Sequence, residues 1–172
     1  MKLIANRLYL RDFVLSDLDA VHEYASSIEV VQHQEWGPNT IAQTKRFITD
    51  CLRESSLPER GTIPLAVVLN DECLIGACRA TVSEDGEDAE IGYSLNPRYW
   101  GKGYGTEAAA RLVEYLKNER KVQRIFATSR PENSASIHIL EKLGMRPVDR
   151  YRRNVLIRGE WRDTIVFLME IV

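Results

Sequence analysis

Residues 90–107 read Glu90-Ile91-Gly92-Tyr93-Ser94-Leu95-Asn96-Pro97-Arg98-Tyr99-Trp100-Gly101-Lys102-Gly103-Tyr104-Gly105-Thr106-Glu107, and their order decides the fold. The opening stretch reads as a strand, in which alternation puts Glu90, Gly92 and Ser94 on one face and Ile91, Tyr93 and Leu95 on the other. Glycines at alternate positions then let the backbone turn with its N–H groups pointing inward. The run from Thr106 to Glu119, with Ala109, Leu112, Val113 and Leu116 on one side, is the longest amphipathic helix of the chain. Val122 to Thr128 follows as a strand. Strand, helix and strand in this order imply one parallel crossover, because parallel neighbours need a connection of that length.

Working outward, Ile63 to Leu69, Cys73 to Val82 and Glu90 to Leu95 form an antiparallel meander, parted by Asn70-Asp71-Glu72 and by the acidic turn Glu84 to Asp88. Upstream lie a short strand, Leu8 to Arg11, and a helix over Asp17 to Ser26 with Ser16 placed to cap it. Pro38-Asn39-Thr40 opens a second helix through Ile41, Phe47, Ile48 and Cys51. Downstream, Asn133 to Leu143 is a helix closed by Gly144. Val148 to Ile157 and Trp161 to Ile171 make a hairpin turned at Arg158-Gly159-Glu160. The pattern predicts an α/β protein of the α+β type, with seven strands in a mixed, mostly antiparallel sheet flanked by helices.

Composition narrows the function. A chain of 172 residues is expected to be a single domain, 1–172, and 44% hydrophobic with 28% charged residues excludes collagenous or disordered classes. A net charge of −2 gives no footprint for phosphate backbones or anionic membranes, so neither nucleic acid nor membrane is an expected partner. The longest apolar runs, Leu65 to Leu69 and Ile165 to Met169, fall far below the roughly 18 residues of a membrane span, and Met1 to Phe13 lacks the apolar core of a secretory signal. Cys51, Cys73 and Cys78 are odd in number and form no CxxC, against a disulfide framework or zinc site. They read as core fillers of a cytoplasmic protein without metal.

The glycine-rich loop leads into the positive end of a helix, a combination that binds phosphate. It is neither GxxxxGK[ST] nor the GxGxxG of a first βα unit, and a purely structural turn is the alternative. About 30 residues on, Pro131-Glu132-Asn133-Ser134-Ala135-Ser136 precedes Ile137 to Met145. Asn133 there is a helix N-cap and Gly144 a C′ residue, which accounts for both. It does not account for their flanking the one parallel crossover, where ligands commonly bind.

Tyr99-Trp100-Gly101-Lys102-Gly103-Tyr104-Gly105-Thr106-Glu107-Ala108 resembles the acetyl-CoA pyrophosphate loop of the GNAT N-acetyltransferases, and Glu132-Asn133 through Ser136 to Glu141-Lys142-Leu143-Gly144-Met145 is similar to their second cofactor motif. Leu8 to Asp17 and Gly159-Glu160-Trp161-Arg162-Asp163 resemble the RimJ/RimL-like branch of ribosomal-protein N-terminal acetyltransferases, so the likeness covers residues 8–171. It implies the GNAT fold, splayed between strands 4 and 5, that is 90–95 and 122–128. It also implies acetyl-CoA in the V, pantetheine on the backbone of Leu95, and pyrophosphate on the amides of Gly101, Lys102, Gly103, Tyr104, Gly105 and Thr106, with Trp100 and Asn133 beside them. Trp100 stands where the family usually has Gln or Arg, and Leu140 where many relatives have a tyrosine acid. A homodimer is suggested for this branch.

The expected activity is transfer of an acetyl group from acetyl-CoA to a primary amine, a protein N-terminus or a small molecule, by direct attack in a ternary complex. The competing reading is a non-catalytic acyl-CoA-binding module on the same fold. Glu90 is the candidate base; a glutamate's ordinary pKa, about 4.3, makes it weak towards an ammonium, so it works through water or after burial. Alternatively it belongs to the solvated acidic turn. Ser136, three residues after Asn133, is the candidate donor to the leaving thiolate, a role the resemblance implies, or else it caps its own helix. His33, Glu35 and Trp36 resemble the acceptor-side wall, with Trp36 equally readable as a core anchor. Trp161 and Tyr151 read as packing or dimer contacts.

Overall fold

A computed structural model describes residues 1–171; Val172, the last residue of the expected domain, lies outside the described residues. One sheet runs through the molecule in the order β1-β2-β3-β4-β5-β6-β8-β7. Its strands are β1 (Lys2–Ile4), β2 (Leu8–Arg11), β3 (Thr62–Leu69), β4 (Leu74–Val82), β5 (Asp88–Leu95), β6 (Arg124–Ser129), β7 (Arg146–Ile157) and β8 (Glu160–Glu170). The helices are α1 (Leu18–Ala25), α2 (Ile28–Val31), α3 (Ile41–Ser56), α4 (Tyr104–Asn118) and α5 (Ser134–Lys142). The expected count of seven strands is corrected to eight. The extra strand, β1, buries only Leu3, while Ile4 is 69% exposed, so three residues with one inward side chain carry too little alternation to be read.

The sheet is clothed on both faces, and this explains why β3 reads as an unbroken apolar run. Leu65 and Val67 point into a core shared with Leu112, Leu116 and Leu140 of α4 and α5. Ala66 and Val68 point into a second core with Val21, Tyr24, Ile48 and Cys51 of α1 and α3. Local signals fix the helix starts. Thr40 caps α3, its hydroxyl accepting from the Gln43 N–H while the Gln43 side chain accepts from the Thr40 N–H. Asn133 accepts from the Ser136 N–H at the head of α5. The final hairpin turns at Arg158 and Gly159, both at positive φ, as a two-residue type I′ turn requires.

All neighbouring strands are antiparallel except β5 and β6, which are parallel. That parallel ladder pairs Asp88 with Arg124, Ala89 with Ile125 and Glu90 with Phe126, and there it ends. Beyond Glu90 the two strands diverge. These are the expected strands 4 and 5, renumbered by β1.

Candidate active site

The loop between β5 and α4 stands at the open end of this divergence. The last free turn closes when the Glu107 N–H donates to the Gly103 carbonyl at 3.1 Å, which makes Gly103 the N-cap of α4. Gly101 and Gly103 both adopt positive φ, +72° and +81°, which other residues adopt only with strain. Among the described residues, the backbone N–H groups of Gly101, Lys102, Gly103, Tyr104, Gly105 and Thr106 donate to no protein acceptor. The space a Cβ would fill at Gly101 is open for 4 Å. Consecutive unpaired amides at a helix N-terminus, with bare backbone before them, fit a diphosphate.

The loop is braced from behind. Arg7, in the turn between β1 and β2, donates through Nε to Glu107 at 2.7 Å and through Nη1 to the Lys102 carbonyl at 3.0 Å. Its guanidinium also lies 4.5 Å from the centre of the Tyr104 ring, and its backbone N–H donates to Glu107 at 2.6 Å. Trp100 braces the front, its indole N–H donating to the Leu95 carbonyl at 2.8 Å. Its own backbone N–H is taken by Pro97, so Trp100 offers no amide of its own and acts as a strut. Lys102 Nζ donates to the Arg98 carbonyl at 3.0 Å, leaving only its backbone facing the loop's interior.

Within the divergence is a cavity of about 970 Å³ that reaches both faces of the sheet. It brings together Glu90, Ser136, Asn133, His33, Glu35 and Trp36; Leu95 and residues 100–106 are not among its lining. Glu90 is exposed, on the same face as Gly92 and towards α1 and α3. Trp36 is 39% exposed, a wall rather than a core anchor. Its segment is held by Arg158, which donates to the carbonyls of Gln34, Trp36 and Gly37. Partial burial and the neighbouring Arg162 and Arg130 charges hold the His33 imidazole below its usual pKa, against the opposing pull of Glu132.

Ser136 does not cap its own helix. Its hydroxyl lies 3.1 Å from that of Tyr93, which also contacts the Ser136 carbonyl at 3.1 Å. Burial pushes the Tyr93 phenol up to about 12. Tyr93 is visible in the sequence as the residue facing away from Glu90, but its meeting with α5 is tertiary. Arg7 carried no local signal at all. No group of three or more His, Cys, Asp or Glu side chains is arranged to hold a metal among the described residues.

The acetyltransferase (GNAT) domain family matches residues 7–146. The chain belongs to the GNAT acetyltransferase family. This GNAT chain is 34% identical, over 95% of its length and 93% of the relative's, to the uncharacterized N-acetyltransferase YnaD of Bacillus subtilis. A GNAT-family acetyltransferase structure from Bacillus anthracis is 32% identical, with a TM-score of 0.88 over 99% of this chain and 98% of that one. The ribosomal L7/L12 N-acetyltransferase RimL, solved with coenzyme A, superposes with a TM-score of 0.87 over 99% and 98% of the two chains; at 17% identity that likeness speaks for the fold. The protein is therefore an acetyl-CoA-dependent N-acetyltransferase that uses the donor as substrate.

Proposed function

We propose that acetyl-CoA lies in the divergence of β5 and β6 with its diphosphate on the amides of Gly101 to Thr106, and that a primary amine meets it from the cavity beside Glu90. The observation that supports this is a coincidence at one break in the sheet. Undonated amides stand at its open end, and a cavity lined by Glu90, Asn133 and Ser136 fills it. The donor supplies an activated acetyl thioester; the rest falls to the chain.

The Asn96 N–H donates across to Ile75 of the neighbouring strand, and strand amides alternate sides, so those of Tyr93 and Leu95 face the divergence. With the Leu95 carbonyl held by Trp100, its N–H is the remaining partner for pantetheine. Glu90, solvent-exposed and without a partner among the described residues, receives through water the proton that the amine sheds as the C–N bond forms. On the other side, Tyr93 donates to Ser136 and so orients the Ser136 hydroxyl to donate a hydrogen bond to the sulfur as the C–S bond breaks. A leaving thiol with a pKa near that of free cysteine, about 8.5, needs that support more than a complete proton transfer. His33, Glu35 and Trp36 wall the acceptor's approach.

The proposal extends to a homodimer through the last hairpin, where Leu156 and Trp161 are direct cross-strand partners and both about half exposed on an edge of the sheet. The three unpaired cysteines suit a reducing cytoplasm, and no helix among the described residues is long and apolar enough to cross a membrane. The deciding experiment is thiol release from acetyl-CoA over an amine panel, with Glu90→Gln beside the parent. We expect turnover to fall by about 10²-fold in the variant with little change in acetyl-CoA affinity. Normal turnover between about pH 6 and 9 would return Glu90 to the solvated turn.

A further inference from the structure

The charged side chains of the cavity divide into those already answered and those left over. Glu35 lies 4.0 Å from Arg130, which is itself only 11% exposed and bonded to Thr164. Asp50 pairs with Arg53 at 3.1 Å. Arg46 of α3, Arg79 of β4 and Glu90 of β5 all line the cavity and are exposed, and among the described residues none makes an ion pair or a side-chain hydrogen bond.

The ladder sets their spacing. Arg79 stands opposite Gly92 and Thr81 opposite Glu90, so Arg79 and Glu90 are diagonal neighbours on one face, roughly 7 Å apart. Gly92 between them has no side chain, and nothing lies within 4 Å of where its Cβ would be. Arg79 lies on the same face of β4 as Ala77, which packs against the core beneath α1 and α3. Arg46 approaches the same space from α3.

We infer that the cavity selects an acceptor whose amine is accompanied by an anionic group, a carboxylate or phosphate, taken by Arg79 and Arg46 while the amine faces Glu90. Two unanswered guanidiniums stand against one unanswered carboxylate, and a guanidinium fork matches either anion with paired hydrogen bonds. An aliphatic polyamine needs the reverse balance, and here two of the three acids, Glu35 and Asp50, already have a guanidinium within 4.0 Å. The inference rests on the reading of this cavity as the acceptor site. A free amino acid, a phosphorylated amine and a peptide with an acidic residue beside its N-terminus share the required chemistry.

The test uses matched acceptors that differ only in the anion: an amino acid and its carboxamide, O-phosphoethanolamine and ethanolamine, and peptides beginning Ala-Asp and Ala-Asn, with spermidine as the cationic extreme. We expect the anionic member of at least one pair to be favoured by about tenfold or more in kcat/KM, and the pair that responds identifies the source. Arg79→Gln and Arg46→Gln should each cut that preference to a few-fold, mainly through KM, with acetyl-CoA affinity and melting temperature unchanged. Arg79→Lys, which keeps the charge, should retain part of it. Equal rates within every pair, spermidine as the best acceptor, or a preference that survives both glutamine variants overturns the inference and leaves amine acetylation standing. Thiol release with none of these amines overturns both.

Discussion

Arg7 makes no contact with the cavity, yet it holds the back of the glycine-rich loop at Lys102, Tyr104 and Glu107. An exposed ion pair contributes little to stability, so the value of this one is geometric: it aims the amides. Arg7→Ala is expected to raise the Kd for acetyl-CoA about tenfold by calorimetry with only a small fall in melting temperature. Lysine in its place should restore little, because a compact ammonium lacks the planar fork whose separate nitrogens reach Glu107 and the Lys102 carbonyl while its face lies over the Tyr104 ring. The hydroxyl pair across the divergence gives a second prediction. Ser136→Ala and Tyr93→Phe should each lower kcat while sparing acetyl-CoA affinity and stability; an unchanged kcat in both would remove the pair from the reaction. At this scale the sequence is legible where the signal is local. The Asn133 cap and the facing of Glu90 follow from spacing alone. The Arg7 contact joins residues 100 apart in the chain, and the Tyr93 contact joins a strand to a helix beyond the next strand, so neither leaves a local trace.

Among the elements, α4 depends most on a single backbone conformation. Gly103, at φ +81°, caps it while leaving the amides on either side free. Gly103→Ala places a Cβ in the left-handed region, at a cost of about 1 to 2 kcal/mol, and brings it 3.3 Å from Arg7 Nη2. The expected result is a modest loss in chemical denaturation and a larger, separate loss of acetyl-CoA affinity, because both the cap and its brace move. Comparable losses of both through stability alone would be seen as full affinity once the variant is folded at low temperature. Elements buried on both faces, such as β3, or opened by a capping box, such as α3, were readable because their chemistry is continuous along the chain. The strand β1 and the four-residue α2 were not, because each owes its form to a neighbour: β1 to its ladder with β2, and α2 to the second core that receives Val30 and Val31.

For the whole molecule, the order of strands implies the parallel crossover and the GNAT likeness implies the divergence beside it, whose vertex the ladder locates at Glu90 and Phe126. The width of the cavity was not legible, since it is set by how α1, α3 and α5 settle on the two faces. The proposed dimer is tested by sedimentation: the parent should behave as a dimer, and Trp161→Glu, which sets a charge opposite Leu156, should give a monomer that melts near the parent temperature. A monomeric parent would end that reading. The placement of the three tryptophans has a further use. Trp36 lines the cavity, Trp100 is hydrogen-bonded at the mouth of the loop, and Trp161 is on the hairpin, at 39%, 41% and 52% exposure. With two of them replaced by phenylalanine in turn, the intrinsic emission of the remaining indole becomes an unlabelled reporter, one for arrival of the amine, one for arrival of the donor and one for subunit association. The order in which the two substrates bind can then be read optically, before any chemistry occurs.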